Sequence, residues 1–496
     1  MNKNNISGKH VFNSISWMLL QTGATKLTSI LGQIVLAWLL VPEQFGLISL
    51  VYTVTSIGLI IQQFGLNDVL VRRQKSFHNW LPLSYGISWI FGIISFFLLL
   101  ILGFVGSKVY HDHNIFILVS FYAFTTPMDA LSVIPLTKMR IDLDFKTLSL
   151  IRVMETVMTM VMTVILAFMG FGVYSFVIPP LIVSAVSLIV KYRVTHLNIL
   201  FKIHLKRWKY LTVSSSWSLV HSVVQRIMDQ ADYITLGIWV SKAVVGIYYM
   251  AFSLSIQVIG FVANNLPSVL FPSLASIQDS QRAKDMYKRS VTYLSVFGAA
   301  FAIWQGATAF WIVRVFLSSK WVDTTPLVEI LSIGMAFRAV AWLWSTPFRL
   351  KGKFADMAKQ SFYSLLFMVV LIAAGTFKWG VYGTATAVSL YYTVISPYWL
   401  YKGFKLLGGT LQETLQMFVI PIPLALLSYG SCWYFFRFMY EGLSPIPVMI
   451  IISLVGSTLY GLGVYVFMQD TFQEIRRLIL DRLPVNSGVR KLLSRN

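Results

Sequence analysis

The chain has 496 residues, 56% of them hydrophobic and only 12% charged, with a mean hydropathy of +0.70. A soluble domain carries about 25% charged residues, so this composition excludes a soluble enzyme and makes lipid the solvent. The net charge of +21, from 40 basic and 19 acidic side chains, would suggest nucleic acid on a soluble protein; here the cations gather in short loops, and no nucleic-acid partner is expected.

Apolar runs of about 20 residues, the length that crosses a bilayer, predict an all-α polytopic membrane protein with fourteen transmembrane helices. They lie near 15–40, 45–66, 80–104, 114–136, 148–169, 173–193, 212–240, 244–271, 291–316, 325–346, 360–379, 381–401, 416–437 and 445–468. Pro42, Gly170-Phe171-Gly172, Gly380 and Pro445 with Pro447 mark junctions. The polar stretch 1–13 leads into the first span without a small-residue cleavage site, which reads as an uncleaved segment. Cys432 is the only cysteine, which excludes internal disulfides and cysteine-built metal sites.

Loops alternate in basic content. One set carries Arg72, Arg73, Lys75, Lys138, Arg140, Lys146, Lys191, Arg193, Lys202, Lys206, Arg207 and Lys209, then Arg282, Lys284, Lys288, Arg289, Arg349, Lys351, Lys353, Lys359, Lys402 and Lys405. With both termini, 30 of the 40 cations fall on this side. The opposite loops hold Lys108, Lys242, Lys320, Lys378 and Arg437. Positive loops stay in the cytoplasm, so both termini are expected there.

The chain repeats itself without gaps at an offset of 200. Ser14, Ser16, Trp17 and Leu19 recur as Ser214, Ser216, Trp217 and Leu219; Ile34, Leu36 and Gly46 as Ile234, Leu236 and Gly246; Leu66, Val69 and Leu70 as Leu266, Val269 and Leu270. Further on, Arg140 and Phe145 match Arg349 and Phe354 at offset 209. Helix one therefore matches helix seven, and both copies run in the same direction. That predicts two pseudo-twofold-related six-helix lobes, 1–200 and 201–405, plus two C-terminal helices at 406–468. In the tail, 469–496, Phe472, Ile475, Leu478, Ile479 and Leu483 recur at helical spacing, which suits either a short helix on the inner leaflet or a solvated cytoplasmic tail.

Two strings carry a resemblance. Leu39-Leu40-Val41-Pro42-Glu43-Gln44-Phe45-Gly46 is similar to the first periplasmic turn, and Phe64-Gly65-Leu66-Asn67 with Val71-Arg72-Arg73 to the first cytoplasmic turn, of the Wzx-like polysaccharide and O-antigen flippases (lipopolysaccharide and exopolysaccharide exporters) of the multidrug/oligosaccharidyl-lipid/polysaccharide transporter superfamily. With length, span count and duplication, the chain resembles that family over its whole extent. The resemblance implies alternating access in a bacterial inner membrane and a lipid-linked oligosaccharide on undecaprenyl diphosphate, moved from the inner to the outer leaflet for surface polysaccharide biosynthesis. Membrane lipids, a polysaccharide polymerase and glycosyltransferases are the partners to expect. Rivals are a cation-coupled multidrug exporter of the same fold and a peptidoglycan-precursor flippase.

No enzyme constellation, metal set, cofactor site or Walker loop stands out, so a transporter rather than an enzyme is expected. His111, Asp112 and His113 read as a solvated outer loop. The intramembrane charges are the candidate residues, since a charge at mid-bilayer costs on the order of 2.5–3.5 kcal/mol. Lys26 and Arg226 are repeat mates; facing a cleft, they would suit a diphosphate. The duller reading pairs Arg226 with Asp229, three residues on. Asp229 and Asp232 share a face and are candidates for binding a proton or sodium ion. Asp129 and Arg338 coincide at offset 209 with opposite charge, as a cavity acid and a cavity cation. Arg152 and Glu155 read as a structural pair. Pro179-Pro180 in helix six would interrupt helical hydrogen bonding.

Overall fold

The computed structural model describes residues 8–59, 70, 77–198, 216–263, 266–275, 277–439 and 444–480. Among them the regular structure is helical, with no strand. This suits a bilayer: without water, backbone N–H and C=O groups must pair with one another, which a helix achieves within its own segment. The strings 64–67 and 71–73, Lys75, Lys202, Lys206, Arg207, Lys209, Ser214 and the tail beyond Leu480 lie outside the described residues.

Spans one and two are α1 (Gly8–Leu39) and α2 (Pro42–Gly58). The third is α3 (Phe77–Val109), the fourth α4 (His113–Ala123) with α5 (Thr125–Ile141), and the fifth α6 (Phe145–Phe168). A 3-10 turn at Gly172–Phe176 opens the sixth, α7 (Ile178–Thr195). The seventh is α8 (Ser216–Met228) with α9 (Ala231–Trp239), and the eighth α10 (Lys242–Ala263) with α11 (Leu266–Ala275). The ninth is α12 (Ser280–Phe316), the tenth α13 (Thr324–Ala341) with α14 (Ser345–Leu350). Helices eleven and twelve form α15 (Phe354–Lys405), interrupted at Trp379 and at Gly380, whose φ of 58° and ψ of −138° suit only glycine. The thirteenth is α16 (Leu411–Val419) with α17 (Pro421–Tyr434) and a π-turn at Phe435–Met439; α18 (Pro445–Phe467) is the fourteenth. Nine helical segments among the described residues are long and apolar enough to cross a membrane. One expectation fails: Pro179 and Pro180 occupy the first turn of α7, where the missing N–H had no helical partner to lose.

The chain packs as two units, one of Met1–Met250, Phe316–Trp321 and Phe354–Ala387, the other of Ala251–Val315, Val322–Lys353 and Val388–Asn496. The first unit holds a reciprocal contact between repeat mates. A Cβ added to Gly46 of α2 would fall 1.8 Å from Lys242 O, and one added to Gly246 of α10 would fall 1.8 Å from Pro42 O. Residues 42 and 242 are themselves 200 apart, so i meets j′ and j meets i′, as a twofold relation requires. Around this crossing Trp321 Nε1 donates to Ala37 O at 2.8 Å, Lys320 Nζ to Trp38 O at 2.9 Å and Trp38 Nε1 to Phe316 O at 2.9 Å. Asp112 is not a solvated loop residue: it is buried, caps α4 through Asn114 N at 2.8 Å and pairs with Lys242.

The second unit has a continuous core that includes Tyr287, Ala299, Met335, Phe404, Phe418 and Ile452. At the basic end of α12, Glu413 pairs with Lys284 at 3.0 Å and Lys288 at 3.8 Å. The tail is helical, as α19 (Gln469–Leu480), with Phe472 and Ile475 packed against the core. Its Glu474 pairs with Arg289 at 3.2 Å and accepts a hydrogen bond from Tyr293. Arg289 is exposed, so the ion pair alone contributes under about 1 kcal/mol. Glu474→Gln should raise amide exchange severalfold across 469–480 and leave α12 unchanged, as read by hydrogen–deuterium exchange.

Candidate functional site

Helix α1 carries a polar stripe. Thr22, Lys26, Ser29 and Gln33 follow one another at spacings of four and three, hence on one face. Thr22 Oγ1 donates to Met18 O at 2.7 Å and Ser29 Oγ to Thr25 O at 2.8 Å, so the hydroxyls are satisfied within the helix. Gln33 Nε2 reaches Met250 Sδ at 3.3 Å. Lys26 is half-buried, and beside it a Cβ on Gly23 would meet nothing within 4 Å.

Arg226 lies at the end of α8, three residues before the turn at Asp229 and Gln230 that separates α8 from α9, and it is exposed. Gln230 Oε1 accepts from Thr53 Oγ1 at 3.0 Å, which ties the break to α2. Among the described residues no ion pair joins Arg226 to Asp229, nor is there one for Lys26. The helix-internal salt bridge is therefore not what holds Arg226. Asp229 is half-buried at the turn. Asp232, three residues on, is 1% exposed; its Oδ2 accepts from Tyr248 at 2.7 Å and its Oδ1 from Tyr233 N at 2.9 Å. The Tyr233 and Tyr248 rings meet edge-on at 5.5 Å, so Asp232 sits behind aromatic walls while Asp229 and Arg226 are reachable.

A second charged cluster joins α5, α6 and α7. Asp129 Oδ1 accepts from Ser184 at 2.7 Å. The Arg152–Glu155 pair is present, but loose, at 3.8 Å; the closer partner of Glu155 is Lys191, at 2.7 Å. Ser187 also donates to Glu155. Ser184, Ser187 and Lys191 recur at spacings of three and four, one face of α7, so a single helix presents all three donors. Lys191 is 4% exposed, which corrects its assignment to a cytoplasmic loop. Its proximity to the helix end hid it; the signal available in sequence was the Ser-x-x-Ser-x-x-x-Lys spacing.

Arg338, in the second unit, is 8% exposed. Its guanidinium carbon lies 4.8 Å from the Tyr392 ring centroid, 5.3 Å from Phe252 and 5.6 Å from Trp342. Three π-faces stabilise this desolvated cation. At the other end of the first unit, Lys146 Nζ sits 5.7 Å above the Trp17 ring, which places Trp17 beside the turn between α5 and α6. Among the described residues there is no cluster of His, Cys, Asp or Glu suited to a metal.

A family model described as polysaccharide biosynthesis protein matches residues 35–326, more than half of the chain. A Klebsiella pneumoniae protein described as an uncharacterized membrane protein in cps region is 20% identical over 438 residues, covering 84% of this chain and 87% of that one. The chain superposes on the lipid II flippase MurJ in an inward closed conformation with a TM-score of 0.73 at 13% identity, over 92% of this chain and 99% of MurJ. It also superposes on the Vibrio cholerae MATE transporter VcmN with a TM-score of 0.56 at 12% identity, over 81% and 98%. At such identities the structural likenesses establish a common fold.

Proposed function

The chain belongs to the polysaccharide biosynthesis protein family, and we propose that it is a flippase moving an undecaprenyl-diphosphate-linked oligosaccharide from the cytoplasmic to the outer leaflet. It would do so by alternating access between lobes built from residues 1–200 and 201–405, with both termini in the cytoplasm and a polymerase and glycosyltransferases as pathway partners. What carries the reading is the repeat-related pair Lys26 and Arg226. Each is a cation within a span, neither is buried by protein, and among the described residues neither has an ion-pair partner. A wet vestibule or an anionic headgroup removes the cost of such a charge, and a diphosphate offers the oxygens that guanidinium and ammonium donors favour. Arg338, 8% exposed among three aromatic rings, is not required for the headgroup contacts proposed here.

Each charge-assisted contact is worth about 1.5–3 kcal/mol. Lys26→Ala with Arg226→Ala should therefore cut surface glycan at least a hundredfold, with membrane abundance of the protein unchanged. Glycan at wild-type level in that double variant removes the assignment. Asp229, Asp232 and Asp129 are the acids through which a proton or sodium gradient would act. Glycan export that persists after both gradients are collapsed rules out that coupling.

A further inference from the structure

One groove in the second unit is not used by the mechanism above. On α12, Ile303, Gly306, Ala307, Phe310 and Arg314 lie along one face at helical spacing. On the span formed by α17 and its π-turn, Leu426, Gly430, Trp433 and Arg437 do the same. The lower part of both stripes, with Ile330, Ser332 and Ile333 of α13, lines a cavity of about 310 Å³. It opens at the surface through Ile333, 42% exposed, and Leu426, 38% exposed.

The upper end of the same groove is cationic. The guanidinium carbons of Arg314 and Arg437 each lie 3.7 Å from the Phe310 centroid. Two guanidiniums at that height cannot share one face of a ring, so they sandwich it. Among the described residues neither has a carboxylate within ion-pair distance. Arg437 is aimed by the π-turn at Phe435–Met439, a distortion that recurs at functional positions. Glu329, at the cavity wall, accepts from Trp433 Nε1 at 3.1 Å and feels the Arg437 charge. Two guanidiniums against one carboxylate leave this end of the groove net cationic.

We propose that this groove binds one glycerophospholipid with a monoanionic headgroup, its phosphate on Arg314 and Arg437 and an acyl chain in the cavity. A lipid phosphate supplies the anion that these two guanidiniums lack among the described residues. The buried Ser332 hydroxyl, which has no hydrogen-bond partner, lies beside Gly306, one helical turn or about 6 Å below Phe310. It suits the ester carbonyl of an acyl lipid, a group that a polyprenyl chain lacks. The site is at the end of α12 opposite Lys284 and Lys288, the extracytoplasmic leaflet in the orientation proposed above. It does not depend on what cargo the protein moves.

Native mass spectrometry of the purified full chain, titrated with phosphatidylglycerol, phosphatidylcholine, polyprenyl diphosphate and inorganic phosphate, tests this. One phosphatidylglycerol should bind at least tenfold tighter than phosphatidylcholine, and Arg314→Gln with Arg437→Gln should bring the two within twofold. Gly430→Leu, where an added Cβ meets nothing within 4 Å, should fold normally and weaken phosphatidylglycerol binding with both arginines intact. The proposal is overturned if the wild type shows no preference, if the preference survives loss of both arginines, or if the leucine leaves binding unchanged. It is equally overturned if polyprenyl diphosphate or inorganic phosphate displaces the lipid at equal or lower concentration.

Discussion

Valine at Gly46 or at Gly246 should destabilise the protein by about 3 kcal/mol or more, the upper end of what overpacking costs. At either position a Cβ would sit 1.8 Å from a carbonyl oxygen of the opposite helix, whereas a relaxed carbon–oxygen contact is about 3.3 Å. One helix must move by more than an ångström, and the backbone groups that clash cannot rotate away. Moving it also strains Lys242–Asp112 and the Trp321–Ala37 hydrogen bond, which close the same end of the unit. The measurement is the midpoint of thermal unfolding in detergent for both single variants and the double. Each single should lose several degrees. Because the two glycines share one crossing, the double should fall well short of the sum; full additivity would mean that they do not share it. Transport should be lost in every variant, since any opening of that end has to separate the same two backbones.

That crossing shows what the residues reveal unaided. Gly46 and Gly246 stand out in sequence as repeat mates, because duplication preserves spacing. That they touch does not follow from spacing: it takes the close approach of two backbones, which hydropathy cannot register. Spans and turns were readable for a plainer reason, since bilayer thickness sets helix length and Gly380 marks a turn only glycine can make. Charges near helix ends were the weak point. Counting Lys191, Asp112 and Lys242 as loop residues follows from their position, yet each is paired across helices, because a long side chain near an interface can turn inward to a carboxylate as readily as outward to water. The intramembrane candidates were found as residues, but their surroundings were not: nothing in sequence distinguishes the exposed guanidinium of Arg226 from that of Arg338 inside three rings.

Replacing Lys191 by methionine should cost on the order of 3–5 kcal/mol, the penalty for stranding one partner of a buried pair. Glu155 would keep Ser187 and the loose contact to Arg152 at 3.8 Å, which is too far to replace an ammonium at 2.7 Å. Removing both charges, as Lys191→Met with Glu155→Leu, should return the unfolding midpoint to within about 1 kcal/mol of the wild type, because two apolar side chains of similar volume bury without a desolvation penalty. The same pair of variants separates architecture from transport. Asp129 and Ser184 stand on the same three helices as Glu155 and Lys191, so the cluster either locks α5, α6 and α7 together or shifts its proton or counter-ion as they move. A double variant that regains stability and exports glycan normally makes the pair structural. One that regains stability and exports none makes the charges part of the transport cycle, and then Asp129→Asn in the wild-type background should reproduce the defect without loss of stability, read in the same thermal and surface-glycan assays.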